Sequence, residues 1–127
     1  MPVTEINIAK GKDKKFLRQL MDEVHSVLVQ TLELPKDDKN IRLKEFDPDF
    51  FDAKKPYEIF IEITLFSGRT TKTKKELYKN IVYQLNKQLS VDINTVFIIL
   101  NEQPLENWGI RGGLSALDVN LGFKVNK

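Results

Sequence analysis

The spacing of apolar residues changes period in the same order twice along this chain, and that repetition is the strongest constraint on its fold. The opening segment, Pro2-Val3-Thr4-Glu5-Ile6-Asn7-Ile8, alternates as a strand does. Gly11 interrupts it. From Asp13 onward Phe16, Leu17, Leu20, Met21, Val24, Val27, Leu28 and Leu32 recur at helical spacing, until Pro35 stops the pattern. Ile41 to Phe46 alternates again as a short strand. The second round begins at Tyr57. Ile59, Ile61, Ile63 and Leu65 share one face of a strand reaching Phe66, with Phe60, Glu62, Thr64 and Phe66 on the other. Ser67-Gly68 turns the chain, and Thr73 and Glu76 have the spacing of a capping box. Leu77, Tyr78, Ile81, Val82, Leu85 and Leu89 then form a second helical stripe, and Thr95 to Asn101 reads as a buried strand.

Strand, helix, strand, loop, strand, helix, strand describes two βαβ units in tandem. Each helix is long enough to return the next strand parallel to the one before it, with a right-handed crossover expected. The fold expected is α+β: one four-stranded sheet with both helices on one face, in one domain spanning residues 1–127. The other sheet face would then be bare, although it carries Ile and Phe side chains. Exposed apolar area of that extent marks an interface, so an oligomer is expected. Between the halves, Asp47 to Pro56 is a loop by its prolines and aspartates, and Phe50 and Phe51 are expected to seat it on the core. The glycine-rich stretch Trp108 to Gly113 leads to an expected terminal hairpin over Asp118 to Val125.

Composition removes several classes of function. A chain of 127 residues can bury a real core. Its net charge of +2 is too small for a general nucleic-acid or membrane surface. With no cysteine and one histidine there is no disulfide framework, no thiolate nucleophile and no Cys- or His-rich metal site. The longest apolar run, Val96 to Leu100, is far short of a membrane span. No basic leader precedes an apolar stretch at the amino terminus, so a cytoplasmic protein is expected. Nothing resembles a nucleotide loop, a metal set or a Ser/His/Asp arrangement. Cofactor-free proton chemistry is the enzymatic class that these residues support.

Pro2 gives that chemistry a candidate base. An initiator Met followed by a small residue is normally removed, which would leave Pro2 with a free secondary amine. An α-amino group has an unperturbed pKa of roughly 7.7–8.0. Apolar surroundings or nearby cations lower it further by disfavouring the ammonium. A base poised near the working pH is what proton transfer requires. The plainer alternative is that Pro2 only starts an edge strand, one of the few sheet positions proline tolerates.

Taken in order, Pro2, Leu34-Pro35-Lys36-Asp37-Asp38-Lys39, Phe66-Ser67-Gly68-Arg69, Lys75-Glu76-Leu77-Tyr78-Lys79 and Glu106-Asn107-Trp108-Gly109-Ile110-Arg111-Gly112-Gly113 resemble the tautomerase superfamily related to 4-oxalocrotonate tautomerase. Within it they are most similar to the malonate semialdehyde decarboxylase group. The resemblance runs along nearly the whole chain. It implies that Pro2 is the catalytic base or acid. Asp38 matches the decarboxylase's essential aspartate, with Asp37 one position out of register. Arg69 matches the substrate-binding arginine before the second helix. Trp108 matches an aromatic of the active-site wall, and Arg111 lies near a family arginine. The decarboxylase has two arginines around a proline where this chain has Ser67-Gly68-Arg69, one residue shorter. The resemblance further implies a homotrimer with its site near a subunit boundary, no cofactor, and a small 2-oxo or enol carboxylic acid as substrate. A decarboxylase or hydratase of a β-keto or unsaturated acid is the alternative. A non-catalytic trimeric paralogue is the other.

Side-chain chemistry fits those roles, and each has a plainer counterpart. Arg69 offers a fork of donors suited to a carboxylate, beside a glycine where the backbone can bend; it could also be a solvated arginine. Asp38 could orient water or hold a protonated proline, or simply be a turn residue after Pro35. Trp108 could wall a small pocket or belong to the core or an interface. His25, beside Val24 on the first helix, reads as structural. Lys72, Lys74 and Lys75 crowd the start of the second helix, either as a solvated run or as attraction for anionic substrates.

Overall fold

A computed structural model describes residues 2–126. Strand β1 (Val3–Ala9) leads into helix α1 (Lys14–Leu32) and strand β2 (Ile41–Phe46). Strand β3 (Ile59–Phe66), helix α2 (Thr71–Leu89) and strand β4 (Val96–Gln103) repeat the order. The sheet runs β2-β1-β3-β4. β1 and β2 are parallel, as are β3 and β4, while β1 and β3 meet antiparallel with Ile6 opposite Ile61. Each helix therefore returns its strand parallel, as the length of the helical segments implied.

That mixed topology decides which residues share an end. The start of β1, the start of β2, the end of β3 and the end of β4 all lie together. Ile8, Phe46, Ile59 and Val96 lie at the other end.

Between sheet and helices sits a core of Ile6, Ile8, Ile59, Ile61, Ile63 and Leu65 from the strands, against Leu20, Val24, Leu28, Leu77, Ile81 and Leu85 from the helices. These are the residues whose period of two or of three and four marked them as inward-facing. Thr4 is fully buried among them, and its hydroxyl has no hydrogen-bond partner among the described residues. Replacing it with the similarly shaped valine removes an unpaired polar atom. Thr4→Val should therefore raise stability by about 1 kcal/mol, read as a higher midpoint in thermal or urea unfolding.

Both helices start at a side-chain cap. Asp13 accepts from the Phe16 amide at 2.8 Å, and Thr70 accepts from the Thr73 amide at 3.2 Å. The second helix thus begins one turn earlier than the Thr73–Glu76 pattern indicated. Thr70 satisfies the orphan amide first, and Thr73 falls at the position the cap serves. Two further expectations are corrected. Asp118 to Val125 is not a hairpin; the hairpin pairs β5 (Gly109–Ile110) with β6 (Leu114–Ser115), because Arg111-Gly112-Gly113 supplies three residues of positive φ for the turn. Phe50 does not plug the core and is 81% exposed, whereas the Phe51 ring sits between Phe46, tilted at 5.5 Å, and Phe60, edge-on at 5.8 Å.

On the sheet face away from the helices, the Phe51 loop packs against Phe60 at one end, and Trp108 and Phe123 pack against Phe66 at the other. Phe97 and Ile99 on edge strand β4 remain exposed on this face. Alongside them Glu5 stands opposite Glu62 and beside Lys44, 3.5 Å from its carboxylate.

Candidate active site

Pro2 is buried at the head of β1. Two neighbours flank it. On one side the amide of Thr4 donates to the carbonyl of Asn40 at 2.9 Å, which fastens the end of the Leu34–Asn40 segment beside the start of β1. On the other side Val3 pairs with Thr64, so that the end of β3 lies beside the start of β1.

Asp38 lies on the first of these flanks. It is half-buried, whereas Asp37 is exposed, and the Asn40 side-chain Nδ2 donates to Asp38 Oδ1 at 3.2 Å. The segment that carries it is tied back to α1 at two points. His25 Nε2 donates to the Lys36 carbonyl at 2.9 Å, the structural use expected of this histidine. Lys39 Nζ meets Asp22 Oδ1 at 2.8 Å, and Arg18 meets the same oxygen at 2.8 Å. Hydrogen bonds first from Arg18 and then from Lys39 hold the Asp22 carboxyl down at about 2, from an ordinary 3.8. A depressed carboxylate stabilises the fold above its unfolded value and loses that contribution as pH falls through the folded one. The Lys39 tether should therefore be complete above pH 4 and fail towards pH 2. Carbon-detected NMR titration of the Asp22 carboxyl would give its midpoint.

Arg69 comes from the second flank, three residues beyond β3. Gly68 stands before it at φ +125°, and a Cβ there would meet the carbonyl of Val125 at 3.0 Å. The turn is therefore closed to larger residues. Arg69 itself is 8% exposed, so it is not a solvated surface arginine. One nitrogen, Nη1, donates to the Leu32 carbonyl at the end of α1, at 3.0 Å. Burial lowers its pKa, and the Glu33 carboxylate opposes that shift. An arginine remains charged under such conditions. This cation is held away from bulk water, and one of its five N–H groups is occupied by Leu32.

Aromatic side chains complete this end of the sheet. Phe66 meets Trp108 edge-on at 4.6 Å and stacks on Phe123 at 6.1 Å, while Trp108 Nε1 donates to the Gln103 carbonyl at 3.2 Å. Sequence reasoning had Trp108 but not Phe123, which sits in an irregular tail with no periodic signal. The Arg111 guanidinium donates to the Asn120 carbonyl at 2.8 Å and so fastens the tail that carries Phe123. Of the lysines at the start of α2, Lys74 is paired with Glu102 and is not a free steering charge. A cleft of about 960 Å³ opens elsewhere, at the opposite end of the sheet, and none of Pro2, Asp38, Arg69, Trp108 or Arg111 lines it. Among the described residues no cluster of His, Cys, Asp and Glu could hold a metal ion. No described helix is long and apolar enough to cross a membrane.

Residues 46–111 match the model of the Tautomerase_2 family, described as a tautomerase enzyme. Over 121 residues the chain is 31% identical to the probable tautomerase YusQ of Bacillus subtilis (strain 168), with 89% of this chain and 95% of that protein covered. The chain belongs to the tautomerase family. Solved structures agree. The FG41 malonate semialdehyde decarboxylase, inhibited by 3-bromopropiolate, is 26% identical and superposes with a TM-score of 0.75 over 90% of this chain and 92% of that one. A fused 4-OT described as a symmetric trimer is 20% identical. It superposes with a TM-score of 0.81 over 91% and 96%, a likeness that shows the fold alone. The tandem βαβ architecture read from the sequence is thus the tautomerase fold.

Proposed function

We propose that this tautomerase-family enzyme moves a proton between carbon and oxygen of a small 2-oxo or enol carboxylic acid, with the Pro2 nitrogen as the proton carrier. The observation that carries this reading is a buried arginine on the same end of the sheet as the buried Pro2, which Met1 removal would leave with a free amine. Arg69 would hold the substrate carboxylate through the N–H groups that Leu32 does not occupy. The Phe66, Trp108 and Phe123 rings would exclude water from the carbon skeleton. A neutral proline amine would then accept the proton from carbon and return it to oxygen, needing no cofactor. Ketonisation of the phenylpyruvate enol is the assay of choice, followed against pH. Proline acting as base requires kcat/KM to rise with pH through one ionisation. A profile falling through that ionisation would assign it the role of acid instead.

Asp38 supports a second reading. A half-buried carboxylate oriented by Asn40 beside the head of β1 could activate water or steer a departing carboxylate past a protonated Pro2. This would be hydration or decarboxylation, as in the malonate semialdehyde decarboxylases. Asp38→Asn separates the two: it should abolish hydration of an acetylenic acid while leaving phenylpyruvate tautomerisation largely intact.

The apolar residues left exposed on the sheet face away from the helices and the trimeric state of the fused 4-OT support a homotrimer with Phe97 and Ile99 in its interface. Ile99 pairs with Glu62 across β3 and β4, so a glutamate at 99 buried in that interface would face a like charge. Ile99→Glu should thus shift a trimer to monomer in sedimentation velocity, and a wild-type monomer at micromolar concentration would refute the assembly.

A further inference from the structure

The two βαβ units repeat more than their order. Four residues join each first strand to its helix, Lys10-Gly11-Lys12-Asp13 in one half and Ser67-Gly68-Arg69-Thr70 in the other. In both, glycine stands second with positive φ, +142° and +125°, a cation stands third, and the helix cap stands fourth. Both helices have 19 residues and end in a left-handed residue, Glu33 or Ser90. Each is followed by an aspartate shortly before the parallel strand, Asp38 or Asp92. By this correspondence Lys12 occupies the place of Arg69, Asp92 that of Asp38, and Glu58 that of Pro2. Because β1 and β3 are antiparallel, the second set falls at the opposite end of the sheet.

The cleft of about 960 Å³ lies at that end, and Lys12, Asp92 and Glu58 all line it. Its size is at the upper end of the range for small-molecule sites. Lys10 and Lys55 join Lys12 on its rim, and none of the three forms an ion pair with a described residue. Phe16 and Tyr57 supply aromatic walls, with Lys12 Nζ 5.4 Å from the centre of the Phe16 ring. Asp92 is already engaged, accepting from the Asn94 amide at 2.9 Å. In place of the proline amine stands a peptide nitrogen, that of Glu58, which donates to the Thr95 carbonyl at 2.8 Å. A site with a cation and aromatic walls, but with a hydrogen-bonded peptide nitrogen where the other end has proline, can bind an acid without the proton carrier proposed there.

We infer that this cleft is a second, non-catalytic binding site for a small aryl carboxylate, with Lys12 as its anion-binding residue. The ligand class rests on Arg69 being a carboxylate holder, since Lys12 is its counterpart. The site itself rests on the cleft and its unpaired lysines. Lys12 is exposed, so its replacement should leave the fold intact.

Titrating the isotope-labelled full chain with phenylacetate, an acid that lacks the keto group, tests the assignment by NMR. Two sets of amide shifts are expected, one around Ser67 and Gly68 and one around Gly11 and Ser90. Lys12→Glu should weaken the second set at least tenfold and leave phenylpyruvate kcat/KM unchanged. Lys12→Ala should fall between that variant and wild type. Absence of the Gly11 and Ser90 shifts at millimolar phenylacetate overturns the second site, as does a second set indifferent to Lys12→Glu. Shifts confined to the Gly11 and Ser90 end would uphold the second site and remove the carboxylate role from Arg69.

Discussion

Inserting a leucine between Met1 and Pro2 should lower kcat/KM for phenylpyruvate by about 10²–10⁴-fold, the range that a positioned general acid–base contributes. A large second residue keeps the initiator Met in place, and Pro2 then carries an amide nitrogen with no basicity. Pro2→Ala is the informative companion. Alanine also permits Met1 removal, so that variant retains an α-amine with a pKa near the usual value of about 7.7–8.0. It should keep part of the activity, with its pH profile moved and not abolished. Intact-mass measurement on each protein establishes which terminus it carries. Because Pro2 is buried, thermal midpoints must accompany the rates, to separate a lost amine from a disturbed β1. Full activity in a chain whose mass includes Met1 would remove the proline amine from the mechanism.

What the sequence disclosed follows from the range over which each signal acts. Strand Ile41–Phe46 and both helical stripes were legible because burial imposes a period on neighbouring residues, and a period needs no knowledge of the partner surface. Boundaries were less so. Thr70 and Thr73 are both competent caps, and the choice between them depends on where β3 releases the chain. Phe50 and Phe51 are indistinguishable as residues, and the register of a loop decided which one reached Phe46 and Phe60. The site was legible as residue types at motif spacing, but its contacts were not. Arg69 is bonded to a carbonyl 37 positions earlier, and the Phe123 ring on Phe66 comes from a tail without periodicity. A pairing made by tertiary packing leaves no trace in local spacing.

Arg69→Ala should cost on the order of 2–5 kcal/mol in transition-state binding if the guanidinium holds the substrate carboxylate in a desolvated contact. The same substitution removes the bond to the Leu32 carbonyl, with a separate stability loss of about 1 kcal/mol. These two consequences have different signatures. A clasp on α1 alone would lower the thermal midpoint and leave kcat and KM unchanged at temperatures where the variant is folded. A carboxylate holder would raise KM for the acid while barely affecting a substrate that has no carboxylate. The decisive comparison is therefore phenylpyruvate against its methyl ester. Wild type should prefer the acid strongly, and Arg69→Ala should lose most of that preference. Arg69→Lys should recover part of it, because the charge survives but the bidentate fork does not. Equal loss on acid and ester would mean that Arg69 acts only by shaping the turn after β3. The cation that draws the substrate would then have to be sought elsewhere at this end of the sheet.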